Sequence, residues 1–338
     1  MRNSAIINLT TLKNNAKNIK SALPKGTKFC AVVKANAYGH GAPEVASALY
    51  DTVDCFAVSI IEEAVQLRLA GIDKDVLVLV PVNANEIEIA INKNITLTID
   101  SLKTVRAINK VCKKLDAKVK VHIKYNTGMN RFGIDDLDQL DKICKYISKS
   151  PFIILEGIYS HLACPENERA FNSAYNKFLL AINKTKVYNK KVIAHLSASG
   201  GFLKGAFFDM VRIGILLYGY KPFKSNAVTV KPVMKVFSQI IKRRKVGAGD
   251  SVMYGNKRLK KELSGVIVRS GYADGFARKR INNLANNRCM DVSMYQENGA
   301  KDIFPVLADA DEIAKQTGTI SYEVLCTSTL RANKIYKR

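Results

Sequence analysis

The chain has 338 residues, 47% hydrophobic and 24% charged, which is ordinary globular usage and excludes a disordered or collagen-like chain. At about 150 residues per domain, that length suggests two domains, or one large barrel with a smaller partner. A formal net charge of +24 raises the question of a nucleic-acid partner. The basic residues are spread along the chain, however, as in KNNAKNIK and KVCKKL. The densest cluster, Lys242–Lys245, has no helix-turn-helix, zinc-finger or RNP-like pattern around it. Such a surface should stick to polyanions in a salt-dependent way without sequence preference. No apolar run approaches the roughly 20 residues that span a bilayer. The N-terminus, MRNSAIINLTTLKNN, turns polar too soon for a secretory signal. The expectation is a soluble, cytoplasmic protein. Seven widely spaced cysteines without C-x-x-C suit a reducing compartment, and four histidines without H-E-x-x-H argue against a metal site.

Eight short β-branched runs recur through the first two thirds: Lys28–Ala35, Cys55–Ile60, Val76–Pro81, Ile95–Asp100, Lys118–Tyr125, Ile153–His161, Val192–Ser199 and Met210–Gly219. Most are followed by helical spacing, as in Glu62–Gly71, Ala84–Asn94, Ser101–Leu115, Asp136–Ser148 and Asn167–Val187. Ser101 can cap the third of these helices and Gly71 can stop the first. Apolar strands alternating with amphipathic helices predict a parallel sheet covered by helices, and eight of them predict a closed (β/α)8 barrel. The connection Gly200–Phe208 has room only for a short helix. After Lys224 the rhythm changes. Pro232–Lys245, Val252–Gly255 and Gly265–Tyr272 read as extended, with turns at GAGD and YADG. A helix over Asp309–Gln316 precedes an extended C-terminus. The predicted fold is α/β: an N-terminal barrel over 9–225, then a mainly-β domain over 226–338 that residues 1–8 join.

In such a barrel, functional groups sit where strands end and βα loops begin. Those positions hold Lys34 in AVVKANAYGHG, Lys124 with Arg131 in TGMNRFG, His161, the turn Ser197–Gly201, and Arg212 before Gly214. A partly desolvated lysine near other cations can have its pKa lowered enough to form a Schiff base. Backbone N–H groups near Ser199 and Gly214 make a plausible phosphate nest. A Schiff-base lysine beside a phosphate nest points to pyridoxal phosphate.

AVVKANAYGHG, TGMNRFG, SHLA, DMVRIGILLYGY, MYG, GYADGFAR, CMD and TISYE follow one another as in alanine racemases, a family that the chain resembles from about residue 5 to 336. The resemblance implies that Lys34 holds pyridoxal 5'-phosphate and acts as one catalytic base. It also implies that Tyr254 is the second base, supplied across a homodimer with shared active sites. Removing and returning a proton on opposite faces of Cα makes two bases economical. A free tyrosine is a poor base at neutral pH; in the family a hydrogen-bonded chain from His161 and Arg212 reaches it. Taken alone, His161 reads as a core histidine and Tyr38 equally as a loop aromatic; the resemblance puts Tyr38 on the cofactor phosphate. Ser199, Gly214, Ile215 and Tyr322 match further phosphate contacts. Arg212 matches the arginine facing the ring nitrogen, where a cation leaves that nitrogen unprotonated and disfavours transamination. Arg131 resembles the arginine near the substrate carboxylate, and Lys124 stands where many members carry a carbamylated lysine. Met290 and Asp291 match residues lining the substrate pocket from the partner subunit; Tyr272 and Arg278 match residues at its entrance. His40 has no role beyond a structural one.

The implied activity is interconversion of L- and D-alanine, supplying D-alanine for peptidoglycan. The alternatives are a racemase of another small amino acid such as serine, a related decarboxylase, or a pyridoxal-phosphate-binding protein with weak or no turnover. A pocket discriminates one methylene by only about 1–3 kcal/mol, so leakage to serine is expected. The chain departs from the pattern in several places. Ala198 replaces an asparagine and Asn126 an aspartate. The intervals Arg278–Met290 and Asp291–Tyr322 are each short by about a hairpin. ANK near the end replaces a proline and an arginine. These trims fall on the β domain, away from Lys34, and bear on dimer geometry more than on cofactor binding.

Overall fold

A computed structural model describes residues 3–254, 258–278 and 287–338. The sequence-predicted barrel is built from eight parallel strands: β2 (Lys28–Val32), β3 (Cys55–Val58), β4 (Val76–Val78), β5 (Leu97–Ile99), β6 (Val119–Lys124), β7 (Ile153–Tyr159), β8 (Ile193–His195) and β9 (Met210–Ile213). They pair in the orders β4-β3-β2-β9 and β5-β6-β7-β8. A parallel bridge from Leu77 to Thr96 joins one seam between these sheets, and the Arg212 N–H closes the other on the Ser197 carbonyl at 2.9 Å. Most of the strands bury β-branched or apolar residues on both faces, as near-continuous apolar runs require.

One helix begins at the cap that the sequence predicts. Ser101 Oγ accepts from Thr104 N at 3.1 Å and opens Leu102–Leu115. Asp136 and Asn167 cap Leu137–Ser148 and Glu168–Lys186 in the same way. The short connection after β8 holds the five-residue helix Ser199–Leu203, preceded by Ala198 with no side-chain cap.

The second unit is a mixed sheet. The N-terminal strand β1 (Asn3–Asn8) pairs parallel with β15 (Ala332–Lys337) and antiparallel with β10 (Met234–Val246). From β10 the sheet continues through β11 (Leu263–Val268) and β13 (Ser293–Gln296) to β12 (Asn287–Arg288), while β14 (Ile303–Leu307) also pairs with β10. Three readings change here. Val252–Tyr254 is not a strand: only Ser251 bridges, to Arg258, and Met253 turns the chain with φ of 57°. Gly255 lies outside the described residues. The chain past Gln316 is not simply extended, because Ser321–Thr327 is a helix before β15. Strand β2 also stops at Val32, short of Ala35.

That helix and β15 pack against the loop that follows β2. A Cβ on Gly39 would lie 2.5 Å from the Leu325 carbonyl oxygen and 2.7 Å from Thr329 Oγ1, and one on Gly41 would overlap the Tyr336 hydroxyl. Both glycines have positive φ, so close approach and backbone conformation require the same residue type. The C-terminal segment therefore clamps the loop carrying Lys34.

Candidate active site

Lys34 opens a turn in which Ala35, Asn36, Ala37 and Tyr38 all have φ between 51° and 54°, four successive left-handed residues. For L-residues each costs roughly 1–2 kcal/mol, so the surroundings must hold them. Ala35 N donates to Glu63 Oε1 at 2.6 Å, Ala42 N to Asn36 Oδ1 at 2.8 Å, and Gly41 N to the Asn36 carbonyl at 2.9 Å. His40, buried beneath, places Nδ1 3.0 Å from the carbonyl oxygens of both Ala37 and Tyr38. Carbonyls only accept, so Nδ1 carries the proton. His40 thus pins the turn, and burial pushes its pKa down to about 4 despite those two bonds. The alanine side chains on either side of Asn36 keep the turn small.

Around the C-terminal mouth of the barrel stands a group of basic side chains. Burial, then the Arg131 guanidinium, lowers the Lys34 pKa; Glu63 counteracts them only in part. Lys124, the last residue of β6, is 4% exposed and lies with Nζ 4.6 Å from the centroid of the Tyr159 ring. Burial, Arg212 and Arg131 hold its pKa well below the ordinary lysine value. His161 is pushed down by burial and by Arg212, Lys124, Arg131 and Lys34. Glu63, the carboxylate acting on Lys34, is already occupied by the N–H groups of Ala35 and Ser59. Such a group calls for an anion.

Arg212 is buried on β9. Its Nη1 meets His195 Nδ1 at 2.6 Å and the His195 carbonyl at 2.8 Å, and its Nη2 donates to the carbonyls of Ser160 (2.6 Å) and Leu196 (3.2 Å). Among the described residues its Nε–H has no hydrogen-bond partner, which leaves a donor for a ligand. Burial lowers its pKa to about 10, so it remains a cation at neutral pH.

A second cluster lies beside Lys34. Ser199 Oγ is 3.3 Å from Gly214 N and 3.4 Å from Leu216 N, and a Cβ on Gly214 would come within 2.5 Å of Tyr38 Oη. The Tyr38 ring lies 5.9 Å from that of Tyr322, and Ile215 is buried beside Gly214. Backbone N–H groups, three hydroxyls and a glycine without room for a side chain form a cradle for a small oxyanion.

The residues expected from the β domain do not join this cluster through any hydrogen bond among the described residues. Tyr254 is 72% exposed, Met290 55% and Tyr272 39%. They gather on one part of the β domain instead. Tyr272 N donates to the Cys289 carbonyl at 3.1 Å, Ala273 N to the Met290 carbonyl at 3.0 Å, and Met253 Sδ lies 3.5 Å from Cys289 Sγ. Arg331 pairs with Asp291 at 3.0 Å. The basic run Lys242–Lys245 lies on β10, where Arg243 pairs with Glu297 at 2.8 Å.

Three participants were not picked out in the sequence. Glu63, His195 and His122 hold the turn and Arg212, and only their places near strand ends hint at it. The Asn126 substitution has a partner as well. Asn126 Nδ2 donates to Asp135 Oδ1 at 2.8 Å, while its Oδ1 accepts from Gly128 N and Asn130 N at 3.1 Å. An ionised aspartate at 126 could not make the first bond and would face the Asp135 carboxylate instead.

Comparison with known proteins agrees with this arrangement. Residues 7–222 match the family model described as alanine racemase, N-terminal domain, and residues 233–336 the corresponding C-terminal domain. Alanine racemase from Streptococcus uberis is 33% identical, over 98% of this chain and 97% of that protein. The one from Francisella tularensis subsp. tularensis is 35% identical over 95% and 96%. Among solved structures, alanine racemase of Clostridium difficile 630 superposes with a TM-score of 0.92 at 32% identity, covering 100% of this chain and 96% of that one. Alanine racemase from Bacillus anthracis with bound L-Ala-P gives 0.89 at 29% identity, covering 100% and 95%. A barrel with a lysine-bearing left-handed turn, a buried arginine and a strand-rich second unit, matched over both parts of its length, identifies this chain as a member of the alanine racemase family.

Proposed function

We propose that this chain interconverts L- and D-alanine as a pyridoxal-phosphate-dependent homodimer in the cytoplasm, supplying D-alanine for peptidoglycan. The observation that carries the reading is the convergence of Lys34, Lys124, Arg131 and Arg212 beside the oxyanion cradle of Ser199, Gly214 and Tyr38. A cofactor with one phosphate, one ring oxygen and one basic ring nitrogen fits that donor set. Lys34 Nζ would hold it covalently. Tyr38, Ser199, Gly214, Ile215 and Tyr322 would bind its phosphate, with Arg212 Nε–H at the ring nitrogen and His161 beside them. When bound, pyridoxal 5'-phosphate supplies the electron sink that makes the substrate's α-proton acidic.

The chain's own residues supply the rest. Burial and Arg131 lower the Lys34 pKa, the direction a base requires, and Lys34 takes or returns the α-proton on one face. Tyr254, from the exposed edge of one copy, enters the barrel of the other and serves the opposite face through Oη. Arg131 receives the substrate carboxylate, for which a forked donor is suited. Met290, Asp291 and Tyr272 close the pocket from the second copy. Arg212 stays a cation that only donates, so it would leave the ring nitrogen of a bound cofactor unprotonated and favour return of the proton to Cα. Lys124, its pKa held down by burial, Arg212 and Arg131, would carry the carbamate that steadies Arg131. In this reading residues 9–225 form the cofactor domain, and 226–338 with 1–8 form the domain that delivers Tyr254. Incubating the protein and pyridoxal phosphate with L-alanine, then L-serine, tests the assignment by chiral analysis: D-alanine should form fastest, and absence of any D-amino acid would overturn it.

A further inference from the structure

A line of hydrogen bonds leaves Arg212 on the side away from the mouth and runs down the inside of the barrel. Arg212 Nη1 is 2.6 Å from His195 Nδ1, His195 Nε2 is 2.7 Å from His122 Nδ1, and His122 Nε2 is 3.1 Å from Glu156 Oε2. Both imidazoles are buried, at 0% and 3% exposure, while the Glu156 side chain is 22% exposed at the opposite end of the barrel. Glu156 Oε1 accepts from Lys120 Nζ at 3.0 Å, and Lys120 also meets Asp75 at 3.0 Å. His122 and Glu156 line a small cavity of about 50 Å³ there, together with Lys28, Asp54, Asp75 and Thr96.

The two ends fix every proton between them. A guanidinium only donates and a carboxylate only accepts. Glu156 therefore takes the His122 Nε2–H, and neutral His122 presents a bare Nδ1. That nitrogen takes the His195 Nε2–H, and neutral His195 in turn presents a bare Nδ1 to Arg212 Nη1–H. If Glu156 could not accept, Arg212 alone would set the line, the His122 Nε2–H would be buried without that acceptor, and a tautomer with the proton on His122 Nδ1, facing the His195 Nε2–H, would compete. Burial lowers the pKa of both rings; at His122 Glu156 opposes this and Arg212 adds to it, and at His195 Arg212 adds to it. The groups facing the line from the neighbouring strands are Lys120 and Lys124 on β6, Tyr159 on β7 and Asp75 before β4; the Tyr159 ring lies flat on His195.

We propose that Glu156 is a positioning residue: through His122 and His195 it fixes the direction of the hydrogen-bond line that orients Arg212 from the far end of the barrel. Its effect on turnover rests on the function proposed for Arg212, whereas its effect on the imidazoles does not.

With only four histidines in the chain, 15N-histidine labelling of the full-length protein with pyridoxal phosphate, assigned by single histidine variants, reads the line directly. The wild type should show His122 and His195 neutral with the proton on Nε2 at pH 6 to 8. A proton on Nδ1 of either ring would overturn the proposal. Glu156→Leu should release this pattern into a tautomer mixture and lower kcat about tenfold with little change in KM, the scale of one charge-assisted bond. Glu156→Gln keeps an acceptor and should retain the single tautomer. An unchanged tautomer pattern in Glu156→Leu overturns the proposal. Should that variant fail to fold, Glu156→Ala takes its place, with loss of the single tautomer supporting the proposal and its retention overturning it. A released tautomer with unaltered kcat would instead contradict the role given to Arg212.

Discussion

Tyr159 lies flat against His195, with ring centroids 5.0 Å apart and planes 4° from parallel. The tyrosine is itself fixed, its hydroxyl donating to the Leu79 carbonyl at 2.9 Å and meeting Thr98 Oγ1 at 2.8 Å. Stacking and tethering set the plane of the imidazole, and that plane puts Nδ1 in line with Arg212. A buried cation needs such exact partners, because an arginine without acceptors inside a barrel would cost several kcal/mol.

Replacing Arg212 tests what that cation does. Arg212→Glu should permit protonation of the cofactor ring nitrogen, lower racemisation by roughly a hundredfold, and raise the release of keto acid per turnover. Pyruvate assayed alongside chiral alanine measures the ratio. An unchanged ratio would contradict the role assigned to the arginine.

The pKa of Lys34 is lowered first by burial and then by Arg131. The amine attacks only when neutral, so uptake of pyridoxal phosphate should follow a pH profile that turns at lower pH than a free lysine would give. Arg131→Gln removes the second cause and should move that turning point upward. Lys34→Ala should abolish the yellow absorbance of the lysine-linked cofactor altogether. Stopped-flow absorbance across pH reads all three.

Folding should weaken in mild acid. The unfolded value of His40 is near 6.5 and its folded value about 4, so the unfolded chain binds more protons between them and stability rises with pH. The contribution of His40 is complete above pH 6.5 and is lost as pH falls toward 4. It amounts to on the order of 3 kcal/mol. His122, His161 and His195 are displaced in the same direction. Denaturant titrations from pH 7.5 to 4.5 should show steadily falling stability, with a shallower slope in His40→Gln. Equal slopes would sink the assignment.

The loop carrying Arg131 depends on the amide at 126. Asn126→Asp sets a carboxylate against Asp135 and loses a donor, at about 1–2 kcal/mol. It should lower Tm by a few degrees and raise KM, and adding Asp135→Asn should restore both. A single variant as stable as the wild type would mean that the 126–135 bond is not what orders the loop.

The eight barrel strands and their helices were legible because apolar runs of strand length and capped amphipathic spacing are local signals. Ser101, Asp136 and Asn167 are caps by their own chemistry. The left-handed run Ala35–Tyr38 was not legible. Only Asn36 in Ala-Asn-Ala-Tyr is of a type that tolerates positive φ; for the rest the conformation is imposed by Glu63, His40 and the C-terminal clamp, all distant in sequence or shared with core roles. The helix Ser321–Thr327 was missed for a related reason, since no side-chain cap marks its start. At the site, Lys34, Lys124 and Arg212 were identifiable from their places at strand ends and from family resemblance. The His195–His122–Glu156 line was not, because two histidines and a glutamate on three different strands become neighbours only once the barrel closes.

The most direct test of two-base chemistry follows the α-proton. L-Alanine is incubated in D2O with the protein and pyridoxal phosphate, the Cα–H signal is monitored by proton NMR, and the product is resolved by chirality. The wild type should lose that signal as D-alanine accumulates. Tyr254→Phe should keep the cofactor and still exchange the proton of one enantiomer through Lys34, with interconversion reduced by roughly 10²-fold or more. A yellow wild-type protein that leaves the Cα proton of L-alanine intact would contradict the assignment.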